Sequence, residues 1–307
     1  MTMAVHAVID VGTNSVKFHV AERLADGTWR RLVDRAEVTR LGEGLQETGA
    51  IAPAAIDRTV AAIAGMADEA KRHDAVSLVA VGTMGMRAAA NSDAFITLVR
   101  ERTGVTIEVI AGKEEGRLAY LAVKSGLGLA EGRLVIFDTG GGSTQFTIGR
   151  GAVVDEQYSL NIGAVRLTEQ YGLGGAIGRA ELESALDSIE REFNRLDGIA
   201  PPDALVGMGG AVTNMTAVMH GLTTYDPEIV QGSVLPRQEV DRQLELYRSR
   251  DVEARRQIAG LQPKRADVIL AGACVVRTVL GKLGKEALTV SDRGLRHGLL
   301  VDRFGTA

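Results

Sequence analysis

The chain has 307 residues, 45% apolar and 24% charged, a composition of folded globular proteins with room for two domains of ordinary size. Its 35 basic and 39 acidic side chains leave a formal net charge of −4, which argues against a chain-wide cationic surface for a nucleic-acid polymer. A single cysteine, Cys274, excludes a disulfide framework and a Cys-rich zinc site, and no run reaches the ~18 apolar residues of a membrane span. Asp10 interrupts the first apolar run and no basic region precedes it, so no signal peptide is expected and the reading is cytoplasmic. Glycine is over-represented, 37 of 307, against a usual ~7%. It clusters after apolar runs, where it lets the backbone approach a ligand closely.

In chain order, Ala4 to Asp10 reads as a buried strand, Gly12-Thr13-Asn14-Ser15 as a turn, and Val16, Phe18 and Val20 as the apolar face of a second strand. Asp10 to Ser15 is then a hairpin tip, which argues against a Rossmann or Walker A loop, since both lead from a strand into a helix. Helical spacing covers Ala54 to Ala75, a strand Val76 to Val81, a turn Gly82 to Arg87, and a helix begins at Asn91-Ser92. A strand Val105 to Ile110 leads through Gly112 to Arg117 into a helix Leu118 to Val123. Strands and helices in alternation define an α/β class.

Leu134 to Asp138 repeats the opening theme 128 positions later, with Thr139 to Thr144 as the turn and Phe146 and Ile148 alternating after it. Two related halves, each offering one Asp-tipped hairpin to a shared cleft, are the economical inference. Helices are then predicted over Arg179 to Leu196, Arg237 to Ile258 and Arg265 to Leu283, with a Gly-rich turn at Gly207 to Gly210 opening a helix near Asn214.

Both hairpins have the parts to cradle phosphate on a metal. Gly12, Thr13 and Asn14, and likewise Gly140, Gly141 and Gly142, let backbone N–H groups converge on an anion. Ser15, Ser143 and Thr144 add hydroxyls, and Asp10 and Asp138 supply hard oxygen ligands for Mg²⁺. Gly209 and Gly210 suit a further phosphate as well as close strand–helix packing. Glu114 and Glu115 beside Arg117 fit a solvated charge cluster as well as a catalytic role, and Arg87 is an anion-binding candidate.

These blocks occur in one order: Asp10-x-Gly-x-Asn-Ser-x-Lys17, Thr83-x-x-x-Arg87, Glu114-Glu115-x-Arg117, Asp138-x-Gly-Gly-Gly-Ser-Thr144, Gly207-x-Gly-Gly210, Arg265-Ala-Asp267 and Ser291-x-x-Gly-Leu-Arg296. Together they resemble the exopolyphosphatase/guanosine pentaphosphate phosphohydrolase family of the sugar kinase–Hsp70–actin superfamily, over essentially the whole chain. The resemblance implies two actin-like, ribonuclease H-like domains flanking a cleft, in the short two-domain form. Boundaries are expected at 1–124 with 297–307, and at 125–296. It further implies an exopolyphosphatase-type hydrolase that releases terminal phosphate from polyphosphate, or from guanosine pentaphosphate, with Mg²⁺ or Mn²⁺ as cofactor. A homodimer without nucleic-acid or membrane partners is expected. Carried over, Glu115 would be the base that activates water, Arg87 and Lys17 would meet the phosphates, and Asp138 with Asp10 would hold the metal.

Three positions depart from that pattern. Gln145 stands where the family commonly has Glu, so its metal site would be weaker. Lys17 replaces an Arg, a point charge in place of a planar fork, and His297 replaces a Glu. Gln145 therefore also motivates a second reading, a catalytically weak polyphosphate or guanosine-polyphosphate sensor. A third is a sugar or acid kinase on the same fold.

Overall fold

A computed structural model describes residues 4–13, 15–129, 132–151 and 153–305, so Asn14 lies outside the described residues. The chain divides into two compact units, Met1–Ala122 with Leu295–Ala307, and Val123–Gly294.

In the first unit β1 (Val5–Val11), β2 (Ser15–Arg23), β3 (Trp29–Val38), β4 (Ser77–Gly82) and β5 (Ile107–Val109) form one sheet in the order β3-β2-β1-β4-β5. The β1–β2 and β2–β3 pairs are antiparallel, while β4 and β5 add in parallel. One face of the sheet buries Ile9, Phe18 and Val20 against Ile63 and Met66 of the helix Pro53–Arg72 and Phe95 of the helix Ser92–Thr103. The other face buries Val8, Ala21 and Val81 under Leu295, Leu299 and Leu300 of the helix Leu295–Phe304. Alternation along β2 sets this division: Phe18 and Val20 point one way, Lys17, His19 and Ala21 the other.

The second unit repeats the scheme. Here β6 (Arg133–Thr139), β7 (Thr144–Arg150), β8 (Val153–Leu160), β9 (Ala204–Met208), β10 (Val234–Pro236) and β11 (Ala287–Val290) follow the order β10-β11-β9-β6-β7-β8. The β8-β7-β6-β9-β11 run has the strand directions of β3-β2-β1-β4-β5, and β10 adds an antiparallel edge. The α/β class and the twin halves are as the sequence led us to expect.

The differences have physical causes. The strands β3 and β8 escape a period-two reading because they carry polar or charged side chains on both faces. Each lies at an antiparallel edge of its sheet, where burial is incomplete. The helix expected from Leu118 starts at Gly112, which places Glu114 and Glu115 in its first turn, where the helix dipole favours carboxylates. The turn expected over Gly82 to Arg87 contains a short helix, Met84–Ala88. The helix expected over Arg237 to Ile258 is two helices, Arg237–Arg248 and Val252–Arg256, because Asp251 caps the second by accepting from Ala254 N. That break lets Arg255 turn inward. The helix expected from Arg265 begins at Ile269, after a 3₁₀ turn at Pro263–Arg265.

Arg255 is fully buried, and its guanidinium donates to five carbonyls: Tyr247 O at 2.8 Å, Leu173 O, Gly174 O and Ala266 O at 3.2–3.3 Å, and Gly175 O at 2.6 Å. One side chain thus ties together two loops and a helix end of the second unit. Among the described residues no helix is long and apolar enough to cross a membrane.

Candidate active site

In the first unit, Asp10 is the penultimate residue of β1 and lies directly across from Lys17 in the register. Asp10 is buried, and the Lys17 ammonium sits 3.3 Å from its Oδ2. The turn between them is closed by Gly12 N donating to Ser15 O at 3.1 Å, so the Gly12 amide is used internally. Thr13 is held by its carbonyl, which accepts from Gly42 N at 2.8 Å.

Glu115 and Arg87, 28 residues apart in sequence, meet on this unit. Both Nη atoms of Arg87 lie 3.2 Å from Glu115 Oε2, and Arg87 Nη1 also donates to Ile110 O at 2.6 Å. Burial pushes the Glu115 carboxyl above the usual carboxylate range against the pull of Arg87. The charge of Asp10 adds to the rise and that of Lys17 opposes it. Asp10 and Lys17 are thus close enough to influence Glu115. Glu114 does not join them: Arg117 clamps it bidentately at 2.7 and 2.8 Å and reaches on to Asp302 at 2.6 Å. The neighbouring carboxylates are thus separated, one into a structural ion cluster and one toward the hairpin.

In the second unit Asp138 is the penultimate residue of β6 and lies across from Gln145, the register position that Lys17 holds opposite Asp10. Gly140 N closes this turn onto Ser143 O at 2.9 Å. The loop is seated on the helix Ala164–Tyr171, whose Ala164 and Val165 amides donate to Gly140 O and Gly141 O at 3.0 and 2.9 Å. Thr144 is fully buried and donates to Ile162 O at 2.6 Å, which makes it a strut of the hairpin. Gln145 Nε2 donates to Ser143 Oγ at 2.6 Å and Ser159 Oγ at 3.2 Å. With the first glycine and Thr144 committed, the amides of Gly141, Gly142 and Ser143 are this turn's candidate anion donors.

The Gly-rich turn expected before Asn214 is itself the start of a helix, Gly209–Met219, whose first turn packs against the same carboxylate. Gly209 has φ +87°, and a Cβ there would stand 2.4 Å from Asp138 Oδ1 and 2.7 Å from Thr139 O. A Cβ on Gly210 would stand 2.3 Å from Arg265 Cζ, so the guanidinium lies directly on the open face of that glycine. Burial lowers the Arg265 pKa, while Asp138 and Asp267 counter it by favouring the cation. Asn214 is not available to a ligand. Its amide donates to Gly210 O and its Oδ1 accepts from Gln262 N, both at 2.8 Å, which fixes the loop that carries Arg265. The sequence marked Arg265 only as part of a block, without a role; its type beside a Gly-Gly turn was the available signal. Gly209→Ala should destabilise the second unit by at least about 1–2 kcal/mol from the left-handed backbone alone, and urea unfolding checks it.

The sequence pattern of the Ppx/GppA phosphatase family covers residues 20–307. The chain belongs to the Ppx/GppA phosphatase family. Exopolyphosphatase 2 of Mycobacterium tuberculosis is 31% identical over 97% of this chain and 98% of its own. The guanosine-5'-triphosphate,3'-diphosphate pyrophosphatase of Photobacterium profundum is 28% identical over 97% of this chain and 59% of its own. The crystal structure of the Aquifex aeolicus Ppx/GppA phosphatase, type II variant, superposes with a TM-score of 0.89 at 32% identity, covering 98% of this chain and 100% of that one. This Ppx/GppA chain therefore has the actin-like fold, and membership makes it a hydrolase of the phosphatase class.

Proposed function

We propose that this chain is an exopolyphosphatase-type phosphoanhydride hydrolase that releases the terminal phosphate of polyphosphate or of guanosine pentaphosphate. The observation that carries the reading is the Glu115–Arg87 pair, a carboxylate raised by burial and oriented through one oxygen. Glu115 takes a proton from the attacking water as its oxygen bonds to the terminal phosphorus, and the bridging P–O bond breaks toward the remaining chain. Lys17 and Arg87 orient and neutralise the phosphate oxygens beside Glu115, the main requirement of phosphoryl transfer. Release of orthophosphate from short and long polyphosphate and from guanosine pentaphosphate, with Mg²⁺ present, tests the reading. No release on any of them by folded protein would refute it.

The donor set fits a hard divalent cation such as Mg²⁺ or Mn²⁺, with Asp138 as its anionic ligand and Gln145 contributing a neutral oxygen. At Asp10 the Lys17 ammonium would repel a hard cation, and its register partner offers no imidazole to offset that repulsion. When bound, such an ion would neutralise charge on the phosphates. Gln145→Glu adds a carboxylate opposite Asp138, so tighter Mg²⁺ binding is expected by calorimetry, with a lower metal requirement in the assay. If that variant alone turned over polyphosphate while the unchanged chain only bound it, the sensor reading would replace the enzymatic one.

The raised Glu115 carboxyl sets the sign of the pH dependence. A base must be ionised, so kcat/KM should fall as pH drops through a value above the usual carboxylate range. Arg87→Ala removes the cation that favours the ionised form and should move this acid limb to still higher pH. A limb that stays in place or moves down in the pH–rate profile would contradict the pairing.

A further inference from the structure

Three side chains that phosphate hydrolysis does not use converge on one sheet face of the first unit. His19 on β2 and Asp34 on β3 are direct register partners, and His297 reaches them from the helix Leu295–Phe304. His19 Nδ1 lies 3.8 Å from Asp34 Oδ1, and His297 Nε2 lies 3.2 Å from Asp34 Oδ2. The imidazole centroids are 4.5 Å apart, and one ligand atom from each of the three residues falls within 4.8 Å of the others. All three side chains are mostly buried, with exposures of 5, 11 and 13% for His19, Asp34 and His297.

We infer that His19, Asp34 and His297 form a binding site for one divalent transition ion of the zinc class, distinct from the hard-cation position at Asp138. Two imidazoles and one carboxylate suit zinc or its neighbours, whereas Mg²⁺ favours all-oxygen surroundings. Bonds of about 2.0–2.1 Å in a tetrahedron put ligand atoms roughly 3.3 Å apart. The imidazole nitrogens stand 3.8 and 3.2 Å from the two different oxygens of Asp34, and all three ligand atoms lie within 4.8 Å of one another, so an ion would draw the group together. A fourth position is left for water, as in three-ligand zinc sites.

Arg296 is the competing cation. Its Nε lies 2.6 Å from Asp34 Oδ1 and its Nη2 3.1 Å from Oδ2. Each carboxylate oxygen has two lone-pair directions, so Asp34 can accept from Arg296 and still bind an ion, with the guanidinium fixing its orientation. The guanidinium charge repels any divalent ion, and an ion that bonds strongly to imidazole is the kind able to overcome it. Bound there, the ion would fasten the C-terminal helix to the β2–β3 ribbon, two residues along β2 from Lys17.

Dialysis of the full chain against zinc in excess Mg²⁺, followed by metal analysis, tests the site. The wild-type chain should retain one equivalent of zinc that His19→Ala and His297→Ala each lose, and zinc should raise the melting temperature of the wild type only. X-ray absorption of the zinc-loaded wild type should show two imidazole shells, a reading that needs no variant to fold. No retained zinc, equal retention in both variants, or a zinc shell without imidazole would each overturn the site.

Discussion

Glu115→Gln should lower kcat for phosphate release roughly 10²–10⁴-fold while KM changes little, the signature of a lost proton acceptor rather than a lost binding contact. The amide keeps the side-chain volume and an oxygen for Arg87, so the pair can persist in geometry while its basicity is gone. Glu114 cannot take over the role without leaving Arg117, which is itself bound to Asp302. Glu114→Gln should therefore lower stability modestly and leave kcat within about tenfold. Steady-state kinetics of both variants on one short polyphosphate separates the two carboxylates. A larger loss for Glu114→Gln than for Glu115→Gln would reverse the assignment.

Arg255→Met should be the most destabilising single change in the second unit. Methionine fills similar length but takes the Arg255 donor from five carbonyl oxygens, of which Tyr247 O still accepts from Arg250 N and those of Gly174 and Gly175 are only partly buried. Each unsatisfied buried acceptor costs about 1–3 kcal/mol before relaxation or water entry. A net loss of about 3–5 kcal/mol is expected, comparable to removing one partner of a buried ion pair. Arg255→Lys should recover little, since one ammonium cannot span carbonyls from Leu173, Tyr247 and Ala266 at once. Urea unfolding measures the loss, and a change below about 1 kcal/mol would mean that these contacts contribute little net stability. Ala266 follows Arg265 in the chain, so folded Arg255 variants should also report on the Gly210 turn through a raised KM.

The legible parts of the sequence were those with strong local grammar. Both Asp-tipped hairpins combine a buried apolar run, a Gly-rich turn and period-two alternation, and the structure closes both through the first glycine of the turn. The edge strands β3 and β8 were illegible because neither buries a full face, so no apolar period marks them. The start of the Gly112–Leu127 helix is hidden in the sequence, since two glycines among four charged residues look like a loop until the dipole of the first turn is considered. Arg255 sits in a run of charges that reads as a solvated helix, and only carbonyls converging from distant loops explain its burial. The same holds for the site. The residue types were visible, but the separation of Glu114 from Glu115, the commitment of Thr144 and Asn214 to the scaffold, and the seat of Arg265 on Gly210 depend on contacts that spacing does not encode.

Hydrolysis of a short polyphosphate in ¹⁸O-labelled water, followed by mass analysis of the released orthophosphate, tests the central claim most directly. Attack by water at the terminal phosphorus puts one solvent oxygen into each released orthophosphate, and Glu115→Gln should form that product at least about 100-fold more slowly. Orthophosphate without solvent oxygen, or labelled product formed equally fast by Glu115→Gln, would contradict it.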